Sequence, residues 1–304
     1  MKTGGVIVAA GMSSRINTFK PMLKIGSITM VHRIISTLQQ AGVSSIVIIT
    51  GNQGEILEKH VASKNVICLR NEYYESTEMF DSAKIGLKYL EDKCEQIIFT
   101  TVDIPLYTKN TVIELINSSG DLVLPCYQNK SGHPIRIKNT LIAEILKYEG
   151  NEGLKGACKR ATNAKSLVEV DDRGILFDVD TKEDFDDLLE WHNKQIFHPR
   201  LQLSLAKEQA FFDERTALLL KLINYTNSVR YGCGQMNISY SKAWSMINLM
   251  EGQLGYSVVH RKPGGVNGGY TTLTEKGLEL IKRYSEFEEE ANKAVNDIFA
   301  QYFL

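Results

Sequence analysis

The sequence predicts two domains of different class. The first is α/β, a Rossmann-like, mostly parallel sheet over residues 1–195. The second is a smaller α+β winged helix-turn-helix over 200–304. Three observations predict this. Short β-rich apolar runs alternate with amphipathic stretches as far as Trp191-His192. A Gly-containing loop and two carboxylate motifs fall where such strands end. Beyond His198-Pro199-Arg200 the pattern changes to short helices followed by a Gly-rich hairpin.

Val6–Ala9 reads as the first strand and leads into the loop Ala9-Ala10-Gly11-Met12-Ser13-Ser14-Arg15, which runs on to Lys20-Pro21. A helix is expected near Met30–Gln40. Ile46–Thr50 is an almost continuous apolar strand ending at Gly51, and Val66–Leu69 is another. Phe80–Leu90 carries helical spacing. Ile97–Thr100 leads into Val102-Asp103-Ile104-Pro105, and Leu122–Pro125 and Ile135–Ile137 complete the strands. Strands that are apolar on both faces and separated by helices imply a parallel sheet covered on both sides. Ligands of such sheets bind at the carboxyl ends of the strands, where Gly11, Gly51 and Thr101–Pro105 fall.

The second domain opens with Leu201, Leu203 and Leu205 alternating as a short strand. A helix through Ala217–Leu222 follows, with Asp213 placed to cap it. Val229–Met236 is the first helix of a helix-turn-helix. Asn237 is its left-handed turn residue, and Ser239 caps the second helix. Ala243, Trp244 and Ile247 form the inward face of that second helix, leaving Tyr240, Ser241, Lys242 and Ser245 for a DNA groove. Val258–His260 and Tyr270–Leu273 make a hairpin whose tip, Arg261–Gly269, is a basic Gly-rich wing. The final helix carries Tyr284, Phe287, Ala291, Ala294, Ile298 and Tyr302 on one stripe, which serves as core or as a homodimer seam.

Composition narrows the function. The chain has 304 residues and a net charge of −1, so it is not a uniformly basic nucleic-acid binder. Any DNA surface must be local. Residues 221–283 hold eight Lys/Arg against three Glu, a local excess of five that suits phosphate contacts. Cys68, Cys94, Cys126, Cys158 and Cys233 are scattered without metal spacing, as expected of reduced cytoplasmic thiols. No apolar run approaches about 18 residues, and the N-terminus lacks a signal-peptide pattern, so a cytoplasmic location with no membrane partner is expected.

The chemistry follows from charge and geometry. Small residues in the first loop let backbone N–H groups approach a triphosphate, and Arg15 and Lys20 would neutralise charge on the phosphates. Asp103, at a strand end, is placed to hold Mg²⁺. Asp180, in Asp178-Val179-Asp180-Thr181, is either a second metal ligand or the cap of the helix that follows. Asp178 reads as structural.

These motifs, with Gly132-His133-Pro134, resemble the nucleotidyltransferases that build molybdopterin dinucleotides, in particular the molybdenum cofactor cytidylyltransferases. The resemblance covers about residues 4–190. It implies that Ala9, Ala10, Gly11, Ser13, Ser14, Arg15 and Lys20 bind the nucleotide triphosphate and that Asp103 and Asp180 hold Mg²⁺. It also implies that Asn71 and Ser82 lie on the nucleotide side and His133 on the acceptor side. Ala9-Ala10-Gly11 is similar to the cytidylyl members, which favours CTP over GTP. Three positions depart from the family pattern: Ile16-Asn17 stands for Met-Gly, Val102 for the Gly before the metal Asp, and Glu78 for a common Gly. The first removes a conformationally free residue from the loop, so altered substrate choice or activity is an expectation.

Residues of about 201–300 resemble the DNA-binding half of the molybdate-responsive ModE regulators, through Asn237–Trp244, the paired glycines 264–265 and 268–269, and Leu273–Gly277. This implies that Tyr240, Ser241, Lys242, Ser245, Arg261 and Lys262 contact double-stranded DNA, in a homodimer. Gly232 and Gly234 depart from that family's Ala-rich first helix, and each Gly costs up to about 1 kcal/mol. The sequence ends at Leu304, before the molybdate-binding domain of those regulators, so direct molybdate sensing by that route is not expected. The expected function is Mg²⁺-dependent transfer of CMP from CTP to a molybdopterin-type cofactor with release of pyrophosphate, fused to a DNA-binding module. The alternative is a transcription regulator whose transferase-like domain only senses nucleotide or cofactor. A transferase acting on another phosphorylated acceptor, such as a sugar phosphate, is disfavoured by the Gly-His-Pro element and by the ModE-like partner domain.

Overall fold

A computed structural model describes residues 2–11, 19–62, 64–177, 192–193, 198–262 and 270–303. The chain divides into two compact units. One comprises Met1–Leu57 with Cys68–Phe197, and the other Glu58–Ile67 with His198–Leu304. No helix among the described residues is long and apolar enough to cross a membrane.

The first unit is built on β1 (Thr3–Ala9), the short hairpin β2 (Lys24–Ile25) and β3 (Ile28–Thr29), α1 (Met30–Gln40), β4 (Ser45–Thr50) and α2 (Gly54–Val61). Then come β5 (Val66–Arg70), α3 (Met79–Leu90), β6 (Gln96–Thr101), α4 (Lys109–Asn117), β7 (Leu122–Tyr127), β8 (Lys130–Ser131), β9 (Ile135–Lys138), α5 (Ile142–Leu146), α6 (Gly153–Ala161) and β10 (Lys165–Glu169). The strand order is β10-β7-β9-β6-β1-β4-β5, with β8 paired to β7. β1 runs parallel to both β4 and β6, and β10 runs parallel to β7. β9 is antiparallel to β6 and to β7. The mostly parallel sheet expected from the double-sided apolar runs is thus observed. Val6, Ile7, Ile46–Ile49 and Ile97–Phe99 are all buried. The two-residue strands β2, β3 and β8 and the edge strand β10 have no counterpart among the expected strands. β10 alternates exposed and half-buried residues at the sheet's edge and carries only Leu167 and Val168 as apolar signal.

The second unit begins with the hairpin β11 (Ser204–Ala206) and β12 (Ala210–Asp213). The expected strand over 201–205 is therefore shorter, starting three residues later and ending one later, at Ser204–Ala206. It is specified by pairing with Phe212 and Asp213 rather than by leucine alternation. Asp213 accepts from Thr216 N–H at 2.8 Å and caps α7 (Glu214–Thr226). α8 (Val229–Met236) ends at Asn237, whose φ of 51° is left-handed, and Ser239 accepts from Lys242 N–H to cap α9 (Tyr240–Leu254). β13 (Val259–Lys262) and β14 (Tyr270–Leu273) form an antiparallel hairpin, followed by the 29-residue α10 (Glu275–Phe303).

Gly232, one of the two unusual glycines of α8, lies against α7. A Cβ there would come 3.1 Å from Leu219 Cδ1, so it serves close helix packing. Gly234 faces open space. On α9, Ala243, Ile247 and Met250 are the buried face. Trp244 is only half-buried: its indole lies beside the exposed Tyr240 ring and under the Arg261 guanidinium, 4.6 Å from the ring centroid. The expected inward Trp244 is thus displaced by Met250, and it braces the hairpin from the side.

Candidate functional site

The site is assembled at the carboxyl ends of β1, β4, β5 and β6. Ala9 and Ala10 are buried where β1 ends, and Gly11 is exposed beyond them. The Asn52 N–H donates to the Ala10 carbonyl at 3.4 Å, so the ends of β1 and β4 turn together. Val102 N–H donates to Val8 O at 3.1 Å, which brings Asp103 to the same end of β1. Lys20 opens a 3-10 turn, Lys20–Met22, seated by the buried Pro21. Ser13, Ser14, Arg15 and Asp180 lie outside the described residues.

Asn71 and Ser82 come together. Asn71 Nδ2 donates to Ser82 Oγ at 3.0 Å and to Thr77 Oγ1 at 2.9 Å, while its Oδ1 accepts from Tyr73 N–H at 3.0 Å. All the amide's main hydrogen-bonding capacity is therefore spent on shaping the loop 72–78. Both side chains are buried.

Asp103 is half-buried, and its Oδ1 is a buried acceptor with no partner among the described residues. Leaving a buried carboxylate oxygen unsatisfied costs of order 1–3 kcal/mol, a cost that a cation would remove. His133 lies close enough to feel that charge. Burial lowers its pKa, and the Asp103 charge and a hydrogen bond with the Phe99 backbone work in the opposite direction. Its Nδ1 is also buried and unpartnered. The structure therefore unites Asp103 and His133, which lie 30 residues apart in the chain.

A second layer fixes this pair, and nothing in the sequence points to it. Asp172 is buried and accepts from Thr108 N–H at 2.8 Å, Thr108 Oγ1 at 3.1 Å, Thr111 Oγ1 and Gly174 N–H at 2.8 Å. Burial pushes its carboxyl pKa up, against these four donors, which pull it down. Asp172 thereby joins the loop that follows Asp103 to a 3-10 turn, Arg173–Leu176. The turn's Ile175 carbonyl in turn accepts from His133 N–H at 3.0 Å.

Arg33 forms another hub. It is buried on α1 and donates to Ile25 O, Asn193 Oδ1 and His192 Nδ1, each at 2.8 Å. His192 Nε2 then donates to the Tyr107 carbonyl at 3.1 Å. These contacts require neutral His192. Burial first, and the Arg33 charge second, lower its pKa from 6.5 to about 4. Arg33 itself is lowered to about 10 by burial. Above pH 6.5 neither folded nor unfolded chain protonates His192, and its contribution to stability is intact. Below 6.5 the unfolded chain takes up a proton that the folded one refuses, so stability falls as pH drops through about 4. The expected loss is about 2 kcal/mol between roughly pH 7.5 and pH 5. Urea unfolding at the two pH values should show this loss for the native chain and a much smaller one for His192→Gln.

In the second unit, Tyr240, Ser241, Lys242 and Ser245 are exposed along one side of α9. Ser245 Oγ donates to Ser241 O at 3.0 Å. Arg261 is not a free cation. It pairs with Glu251 and donates to Asn248 Oδ1 at 3.0 Å, both on α9. Lys262 ends β13, and the wing tip, 263–269, lies outside the described residues. On α10, Tyr284 is buried against Phe212, with its hydroxyl donating to Leu203 O at 3.0 Å. Phe287, Ile298 and Tyr302 of the same stripe are exposed.

Comparison with known proteins follows this division. The family of MobA-like NTP transferase domains matches residues 5–166. The chain is 25% identical over 182 residues to the molybdenum cofactor cytidylyltransferase of Escherichia coli (strain K12), covering 59% of this chain and 92% of that protein. It is 35% identical over 88 residues to the DNA-binding transcriptional dual regulator ModE of the same organism, covering 29% of this chain and 34% of ModE. The chain thus spans about a third of that regulator. A nucleotidyl transferase from Methanothermobacter thermautotroptrophicus shares the fold, with a TM-score of 0.55 at 16% identity, over 64% of this chain and 98% of that one.

Proposed function

The chain belongs to the MobA-like NTP transferase domain family and carries, in its C-terminal part, a homologue of the ModE regulators, and from that premise we propose that it transfers CMP from CTP to a molybdopterin-type cofactor and also binds DNA. The observation that carries the transferase reading is Asp103, a carboxylate after β6, at the end of the sheet where β1 also ends, with a buried oxygen that has no partner among the described residues. Such an oxygen suits Mg²⁺, which takes hard oxygen ligands from one or two carboxylates and completes its shell with phosphates and water. The chemistry of Asp103 Oδ1, a hard oxygen with no partner among the described residues, fits such an ion, and the family resemblance makes Asp180, outside the described residues, its companion carboxylate. Bound there, Mg²⁺ would supply charge neutralisation on the phosphates.

The protein's own groups do the rest. In this reading Ala9, Ala10, Gly11, Ser13 and Ser14 would offer backbone N–H groups to the triphosphate, and Arg15 and Lys20 would balance the charge of the departing pyrophosphate. Asn71 and Ser82 hold the loop 72–78 on the nucleotide side. His133, kept neutral by burial, borders the acceptor. The acceptor's phosphate oxygen attacks the α-phosphorus, the bond to the β-phosphate oxygen breaks, and pyrophosphate leaves. A phosphate nucleophile is already anionic and requires no general base, so positioning dominates. Incubation with CTP labelled at the α-phosphate should carry the label into the cofactor. Label that stays in CTP, under conditions where CTP binds, would refute the transferase reading.

For the second unit, the exposed row Tyr240, Ser241, Lys242 and Ser245 on α9 is the surface offered to a major groove. Arg261 ties β13 to α9 through Glu251 and Asn248, and in this reading its exposed side and Lys262 would meet the DNA backbone. The exposed stripe Phe287, Ile298 and Tyr302 supports pairing of two copies through α10. Lys242→Ala should weaken binding about equally for all duplex sequences and reduce the slope of log affinity against log salt by about 1. An unchanged slope in a salt titration of DNA binding would remove Lys242 from the interface.

A further inference from the structure

We propose that Asp172 is a positioning residue that sets the distance between the metal carboxylate Asp103 and the acceptor-side His133. This rests on the transferase reading given above. Asp172 lies 69 residues after Asp103, and its hydrogen-bond partners among the described residues are Thr108, Thr111 and Gly174 rather than Asp103 itself. Its carboxylate receives four hydrogen bonds from two separate pieces of chain. Three come from Thr108 and Thr111, at the end of the loop that begins with Asp103. The fourth comes from Gly174, in the turn Arg173–Leu176.

That turn is pressed onto the Asp103 loop. A Cβ on Gly174 would lie 2.1 Å from Leu106 O. From its other side it engages the acceptor segment: Ile175 O accepts from His133 N–H at 3.0 Å, and a Cβ on Gly132 would lie 2.2 Å from the same carbonyl. The turn is therefore a wedge between the Asp103 loop and Gly132-His133, and Asp172 is the group that locks it. Among the described residues this buried carboxylate has no cationic partner, and its several lone pairs let it take backbone and hydroxyl donors from both sides at once.

The geometry makes a specific demand. Nucleotide binding is organised by the ends of β1, β4 and β5, which the wedge does not touch among the described residues. Loosening it should leave metal-free CTP binding unchanged while weakening metal binding and acceptor recognition together. Asp172→Asn keeps the shape but turns an NH₂ group toward a donor. Outer-shell partners of metal ligands typically contribute 10–100-fold to affinity or activity. Mn²⁺ binding in the presence of CTP, read from the free-ion paramagnetic resonance signal, should weaken by about tenfold or more in Asp172→Asn. KM for the cofactor should rise by a similar factor, with metal-free CTP affinity held. Thr111→Val, which removes one donor and leaves the carboxylate, should move both quantities the same way by about three- to tenfold. It carries the test if Asp172→Asn fails to fold.

Native Mn²⁺ affinity and native KM in a folded Asp172→Asn, or in Thr111→Val where the first does not fold, would overturn the proposal. Equal loss of metal-free CTP binding would also overturn it, because it would show a general structural role. Asp103→Ala serves as the reference. If it retained native Mn²⁺ binding, the metal reading of Asp103 would fall, and the positioning role with it. If Asp103→Ala loses Mn²⁺ while Asp172→Asn does not, only the positioning role fails.

Discussion

Asp103→Ala should abolish nucleotidyl transfer, lowering the rate by on the order of 10³-fold or more, while DNA binding stays at its native level. The magnitude follows from what the side chain supplies. Its Oδ1 is buried and unsatisfied, so it is poised for a cation rather than for a protein donor. Losing one preorganised electrostatic contact to a phosphoryl-transfer transition state removes about 4 kcal/mol, which is about three powers of ten in rate. The fold should survive, since among the described residues Asp103 Oδ1 has no hydrogen-bond partner for Ala to strip away. The substitution relieves a buried charge and can raise stability slightly. The expected pattern is therefore a folded protein with native or higher melting temperature, nucleotide binding and no turnover. Rate assays alongside thermal melts and DNA titration of the same preparation would check it.

Gly174→Ala should destabilise the first unit by about 2–4 kcal/mol and depress transfer even where the chain remains folded. The added methyl would sit 2.1 Å from Leu106 O, 2.5 Å from Leu106 C and 2.8 Å from Tyr107 N. All three are backbone atoms, so no rotamer change can make room. The turn must move, and it carries the Ile175 carbonyl that holds His133. The Asp103 loop must move with it. Phe177 packs on the cluster of Ile25, Met30 and Leu106, so the strain spreads into the core beneath Lys20. Urea unfolding of the variant measures the first effect, and kcat at saturating substrates measures the second. Native stability in Gly174→Ala would mean that the turn is loosely held.

These two sites differ in how they could be read from sequence. Asp103 was legible because it stands between a buried β-run and a Pro, at the end where parallel sheets bind ligands. The strands Ile46–Thr50 and Ile97–Thr100 were legible for the same reason, since burial on both faces leaves an unbroken apolar run. Asp213, Asn237 and Ser239 announced the helix ends because their side chains or left-handed backbones act locally. Asp172 and Gly174 were not legible. The segments they bind, Thr108–Thr111 and Leu106-Tyr107, lie more than 60 residues away in the chain, and an Asp before Arg-Gly looks like any turn. Arg33 and His192 are 159 residues apart and were equally hidden. The same limit applies to Trp244. Helical periodicity placed it inward beside Ala243, but a 3.6-residue repeat does not reveal that Arg261 will reach across from the hairpin to cover its ring. Arg261 read as a wing cation because local pattern does not show that, after the turn at Gly255, β13 runs back beside α9 and brings Arg261 to Glu251, ten residues earlier.

The account stands or falls on whether the first domain turns over. The direct measurement is pyrophosphate release with Mg²⁺ and molybdenum cofactor, run side by side with CTP, GTP and ATP, for the native chain and for Asp103→Ala. Release with CTP that disappears in Asp103→Ala is the predicted result. No release with any nucleotide, from protein that demonstrably binds nucleotide, would contradict the account and identify the domain as a sensor attached to a DNA-binding unit.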